Sequence, residues 1–143
     1  MTSMSKVNYN QNDKSDSVLS LAVGAAIVLI LVTGLIHLVE TPDNLSEAPY
    51  KGVLFALNGL GAFIAAVGIY RGARSWGWGL GLLIAAGAVA GYVMSRTVGL
   101  PGLAIDDAWF EPLGVLSIIV EVGFVAVSAW ALLAVKRLSS AQS

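Results

Sequence analysis

The sequence predicts an all-α protein, a bundle of four membrane-spanning helices, and three observations carry that prediction. Of its 143 residues 57% are apolar and 12% are charged, about half the ~25% charge of an average soluble domain. The mean hydropathy is +0.79. The apolar residues gather into four runs, 18–39, 52–70, 76–95 and 113–135, each close to the ~20 residues a helix needs to cross ~30 Å of hydrocarbon. Glu121 is the one acid, lysine or arginine inside them.

The first run follows a polar start, "MTSMSKVNYNQNDKSDS", whose composition reads as a disordered cytoplasmic tail over residues 1–17. A cleaved signal peptide is the competing reading of the run. A secretory apolar region spans only about 7–15 residues and ends in a small-residue cleavage site, whereas this run ends in "HLVETPDNL". It is therefore read as a helix of the mature protein. The second run opens after Pro49 and the fourth after Pro112, where a missing N–H is tolerated, with Glu47 and Glu111 placed to favour a helix N-terminus. The second and third runs are joined by "RGARSW", a turn short enough to force an antiparallel hairpin. Residues 136–143 form a second cytoplasmic tail.

Basic residues set the expected orientation. Lys6, Lys14, Arg71, Arg74, Lys136 and Arg137 fall on one side, and only Lys51 and Arg96 on the other. The positive-inside rule places both termini in the cytoplasm of a cell-membrane protein. Glu40, Asp43, Glu47, Asp106, Asp107 and Glu111 then lie in two outer loops. Tyr70, Trp76, Trp78 and Trp130 are expected at the inner interface, and Tyr50, Trp109 and Phe110 at the outer one.

The chain holds 16 glycines. Gly77 with Gly81, and Gly87 with Gly91 and Ser95, put small residues at four-residue spacing on the third helix, which suits close helix contact inside the bundle or, alternatively, a dimer face. "EAPYKGVL" at 47–54 and "EPLGVL" at 111–116 suggest two related helical hairpins.

Polar residues inside the runs are the candidate site. His37, the only histidine, lies ~3 Å inside the outer end of its helix and Glu121 ~12 Å into the fourth, at 1.5 Å per residue. Side chains lean toward the N-terminus of their helix. With alternating helix directions, His37, Tyr92 and Arg96 lean inward while Asn58 and Glu121 lean outward, so they converge on one layer in the outer half. Thr33 and Ser117 share the faces of His37 and Glu121. A carboxylate at that depth costs about 2.5–3.5 kcal/mol on insertion scales and needs a partner, a wet cavity or a proton. The candidate ligand-binding residues are His37, Glu40, Asn58, Tyr92, Arg96, Glu111 and Glu121. His37 and Glu40, one turn apart, offer a zinc, iron or copper site if Glu121, Glu111 or Asp106 completes it. The structural alternative is a Glu121–Arg96 ion pair, or a protonated Glu121 bonded to Ser117 or Asn58, holding the bundle together. The long connection 96–112 is of the length that caps or binds, and Arg96 suits an anionic head group.

"HLVETPDNLSEAPYKGVLFALNGLGA", "GYVMSRTVGLPG", "WFEPLG" and the glutamate of the fourth run resemble small four-span membrane proteins of bacteria and archaea without an assigned role. The resemblance covers residues 18–135. It implies a four-helix fold with His37, Glu40, Arg96, Glu111 and Glu121 at motif positions, and carries no activity.

Several classes are excluded. There is no cysteine for disulfides or thiolate chemistry, and a net charge of −1 gives no field for nucleic acid. A bis-histidine haem would need two chains. Catalytic signatures are absent, so an enzyme would rest on the acid and the histidine alone. Three readings remain: a binding or transport-accessory protein holding a cation, proton or small ligand; a structural subunit of a larger membrane complex; and a small membrane enzyme. Beyond the lipid bilayer, a homo-oligomer or partner protein is expected, because four spans are few for a transport path.

Overall fold

A computed structural model describes the backbone of residues 2–73 and 75–140, and side chains over 17–73 and 75–135. Four helices account for nearly all of it: α1 (Thr2–Glu47), α2 (Pro49–Tyr70), α3 (Trp76–Thr97) and α4 (Pro112–Ser140). Among the described residues there are no strands. Ser17–Glu47, Pro49–Tyr70, Trp76–Thr97 and Pro112–Val135 are each long and apolar enough to span a membrane. Successive helices are antiparallel; each packs on its chain neighbours, and α4 closes the ring against α1.

Two boundaries differ from expectation, both in α1. The helix begins at Thr2, so the segment expected as a disordered tail carries helical backbone, its side chains up to residue 16 lying outside the described residues. At the other end "ETPDNLSE" is helix rather than loop. Pro42 sits inside α1 and brings no N–H to the carbonyl of Leu38 one turn back. Side chains reinforce the neighbouring turns: the Thr41 hydroxyl donates to the His37 carbonyl at 2.7 Å, and Asn44 Nδ2 to that of Glu40 at 2.8 Å. Glu40, Asp43 and Glu47 therefore ride on a continuous helix. Its 31 spanning residues run ~46 Å at 1.5 Å each, well beyond ~30 Å of hydrocarbon.

Small residues bring the helices together. A Cβ on Gly52 would fall 2.4 Å from Leu45 Cα, so α2 can start hard against α1 only with glycine there. Gly77 approaches Gly68 at the base of the α2–α3 hairpin, where a Cβ would stand 2.8 Å from backbone. The hairpin turns through Gly72 at φ 74°, with Ala73 N–H donating to the Gly68 carbonyl and Gly72 N–H to that of Ile69. This is the Schellman pattern, which needs a left-handed residue that glycine supplies without penalty. Gly81 admits Phe124, whose ring stacks on Trp78 at 6.4 Å between centroids. Trp78 is thus core rather than interfacial, while Tyr70, Trp76 and Trp130 stay exposed. Gly87 and Gly91 face open space and do not join helices within the bundle.

The core around Ala26, Ile30, Ala62, Ala65, Ile69, Trp78, Ala85 and Phe124 is apolar. Leu54, Leu57, Ile64, Leu83, Ile119 and Leu133 point outward, as lipid-facing side chains do. Pro49 and Pro112 begin α2 and α4. Both starts lie at the same end of the bundle as the C-termini of α1 and α3, called here the capped end because the 98–111 connection folds over it.

Candidate functional site

Polar residues of the capped half separate into two groups rather than one. The first lies between α1 and α4. His37 and Glu121 are buried, at 6% and 1% exposure, and Nε2 of His37 faces Oε1 of Glu121 at 3.9 Å. That gap is too long for a direct hydrogen bond. Oε1 also accepts the Ser117 hydroxyl at 2.7 Å, one turn away on α4. Phe55 of α2 closes over the imidazole, with ring centroids 5.0 Å apart.

The histidine's other nitrogen fixes its tautomer. Nδ1 stands 3.0 Å from the carbonyl oxygen of Thr33, which can only accept, so Nδ1 carries a hydrogen. In the neutral ring Nε2 therefore carries the lone pair, 3.9 Å from Glu121 Oε1. Thr33 itself is fully buried, and its hydroxyl has no hydrogen-bond partner.

The second group is built around Arg96, at the C-terminal end of α3. Its guanidinium is buried and surrounded: Nε and one terminal nitrogen donate to the Ala108 carbonyl at 3.3 and 3.1 Å, and the other donates to Ser95 Oγ at 2.9 Å. Asp106 and Glu111 approach within 3.4 and 3.7 Å. The Tyr92 ring lies under it, 3.8 Å from Cζ to centroid. Tyr92 further donates to the Trp109 carbonyl, and Tyr50 to that of Pro101. All of these hold the 98–111 connection on the bundle. Gly114 makes room for the assembly, since a Cβ would fall 2.9 Å from the Tyr92 ring.

Three expectations are corrected by this geometry. Arg96 does not pair with Glu121: its acids are Asp106 and Glu111, because the connection folds back and delivers them, with a backbone carbonyl, to the guanidinium. His37, Glu40 and Glu121 do not form a metal triad; among the described residues no three metal-capable side chains stand together. Glu40 lies one turn beyond His37, within electrostatic reach of Glu111, Lys51, Arg96 and Glu121, and so belongs to the rim between the two groups. Asn58 joins neither directly; its Nδ2 donates to the Ile84 carbonyl at 3.3 Å, and its Oδ1 is buried without a partner.

Sequence reasoning brought His37, Glu121, Ser117 and Thr33 together through helix direction. It missed Phe55, which the spacing Phe55-x-x-Asn58 on the interior face of α2 could have signalled, and Ala108, whose backbone oxygen leaves no trace in a sequence. Compared with known families, curated proteins and solved structures, the chain matches none.

Proposed function

We propose that this multi-pass membrane protein holds one exchangeable proton between His37 and Glu121, on the extracytoplasmic side of the cell membrane, and acts as a proton-linked transport or transport-accessory protein. The observation that carries the reading is a carboxyl group at 1% exposure that, among the described residues, has no basic side chain other than His37 within 4.0 Å, its Oε1 lying 3.9 Å from the imidazole Nε2. One proton neutralises the pair in either arrangement, as carboxylic acid with neutral imidazole or as carboxylate with imidazolium. In a low-dielectric layer such compensation is what lets a carboxyl stay buried. The 3.9 Å separation suits a proton that moves, since a small side-chain shift or one water joins the two atoms. Four spans make a homo-oligomer or partner protein the expected working form.

The test is proton flux into vesicles containing the purified protein, read with an entrapped pH-sensitive dye under an imposed potential. Wild-type protein is expected to acidify or alkalinise the lumen, and Glu121→Gln and His37→Gln to abolish the response while keeping wild-type helicity. Vesicles indistinguishable from empty ones, for all three proteins, would sink the transport reading. Nitrogen NMR on labelled His37 checks the tautomer: a protonated Nδ1 and a bare Nε2 are expected. Cysteines at Ser46 and Ser75, both exposed, should label from opposite sides of the membrane, Ser46 from outside.

A further inference from the structure

His37 and Glu121 are buried, and Phe55 closes over the imidazole, so a proton reaching them from water needs a carrier. Glu40 stands where such a carrier would act. Thr33, His37, Glu40 and Asn44 fall within about 60° of one another around α1 at 3.6 residues per turn. Thr33 and His37 of this stripe are buried, whereas Leu35 and Val39 on the opposite side of the helix are exposed. Glu40, half-buried, therefore faces the bundle interior although it lies beyond the apolar run. The Asn44 amide, donating to the Glu40 carbonyl at 2.8 Å, keeps the helix regular there. Helical side chains lean toward the N-terminus, which tips the Glu40 carboxyl over the turn that bears His37. Cβ atoms three residues apart on one face stand about 5–6 Å apart. The carboxylate lies within electrostatic reach of Glu121 on one side and of Glu111, Lys51 and Arg96 on the other.

We infer that Glu40 is the relay residue through which the His37–Glu121 pair exchanges its proton with water at the capped end. Its neighbours leave it free for this. Lys51 is paired with Glu47, and Arg96 is held by Ala108, Asp106 and Glu111. The other acids of the capped end are less suited: Asp106 and Glu111 are tied to Arg96, Glu47 to Lys51, and Asp43 is exposed and turned off the stripe. When the pair has lost its proton, the Glu40 carboxylate takes one from water and becomes a carboxylic acid. It passes that proton, directly or along one water, to the lone pair on His37 Nε2 and returns to carboxylate, while the ring becomes imidazolium. The imidazolium then hands the proton to Glu121 Oε1, and no net bond is made or lost. Asp43 on its own helix, Lys51 on α2, Arg96 on α3 and Glu111 ahead of α4 set the field around Glu40. The Tyr50 and Tyr92 hydroxyls at the same end donate to backbone carbonyls of the connection.

This inference rests on the proton reading, and one experiment separates the two. His37 is the only histidine, so nitrogen NMR on histidine-labelled protein in micelles gives a single ring to follow. Line shapes across a pH titration give the rate at which it exchanges between neutral and protonated forms. In Glu40→Gln that rate is expected to fall severalfold, with Glu40→Asp restoring most of it and added soluble buffer speeding Glu40→Gln far more than wild type. Glu40→Ala repeats the measurement with no polar group left, and both variants should keep wild-type helicity because the carboxyl has no fixed partner to lose. A midpoint that shifts at an unchanged rate reports only the loss of a nearby charge and overturns the relay while leaving the proton reading standing. A slower rate that neither Glu40→Asp nor buffer restores shows a structural role and likewise overturns it. A wild-type histidine signal that does not change with pH removes the proton reading and the relay together.

Discussion

Arg96 and Glu121 are both buried ionisable residues in the capped half of the same bundle, and they are treated in opposite ways. Arg96 is crowded with partners: a carbonyl shared by two of its nitrogens, a serine hydroxyl, two carboxylates and an aromatic face. Glu121 has a single hydroxyl donor and an imidazole beyond hydrogen-bond distance. A fully satisfied charge resists change of state and serves as a fastener. A carboxyl with few fixed donors can lose or gain a proton without dismantling its surroundings, which is what an exchange site needs. The same end of the bundle thus contains a latch and, on the seam of α1 and α4, a sparsely partnered carboxyl.

The latch should give the largest change in stability when broken. Arg96→Met removes hydrogen bonds from a charged donor to Ala108 and Ser95, each kind worth about 1.5–3 kcal/mol, while Asp106 and Glu111 remain half-exposed to water and add little to the loss. A drop of about that size is expected in equilibrium unfolding in mixed micelles, with protease cutting appearing between 98 and 111. If Arg96→Met unfolds like wild type, the connection is held by Tyr50 and Tyr92 instead, and the contrast with Glu121 fails. Ser117→Ala comes next. It strips Glu121 of its hydroxyl donor and leaves a buried oxygen short of a bond, a penalty of about 1–2 kcal/mol read in the same unfolding measurement.

Glu121→Gln is expected to alter stability by less than about 1 kcal/mol, since the amide oxygen still accepts from Ser117 and no buried cation is stranded. Its effect belongs to function, as loss of proton response. A large loss of stability with unchanged response would reverse the roles assigned to the two residues.

Helix direction and side-chain lean were enough to place His37 opposite Glu121, because both depend only on span order and the geometry of a helix. The proline starts of α2 and α4 were equally legible. What escaped depended on the path of irregular backbone or on local compensation. The 98–111 connection brings the Ala108 carbonyl and Asp106 to Arg96 through turns that no periodicity encodes, so the guanidinium seemed available to Glu121. "TPDN" reads as a turn, yet Thr41 and Asn44 bond back to the helix around Pro42 and α1 continues. Trp78 resembled an interface residue because its place in the core is created by a glycine on its own helix, Gly81, that lets the Phe124 ring in.

The smallest effect on stability is the most discriminating. Thr33 is fully buried with an unpartnered hydroxyl, and valine has nearly the same shape without the oxygen. If that hydroxyl served only packing, Thr33→Val would remove an unsatisfied polar group and leave the protein as stable as before or up to about 1 kcal/mol more stable. The expected outcome is therefore a variant that unfolds no earlier than wild type when both are heated in the same micelles. A clear loss of stability would show that the hydroxyl supports the helix contact itself.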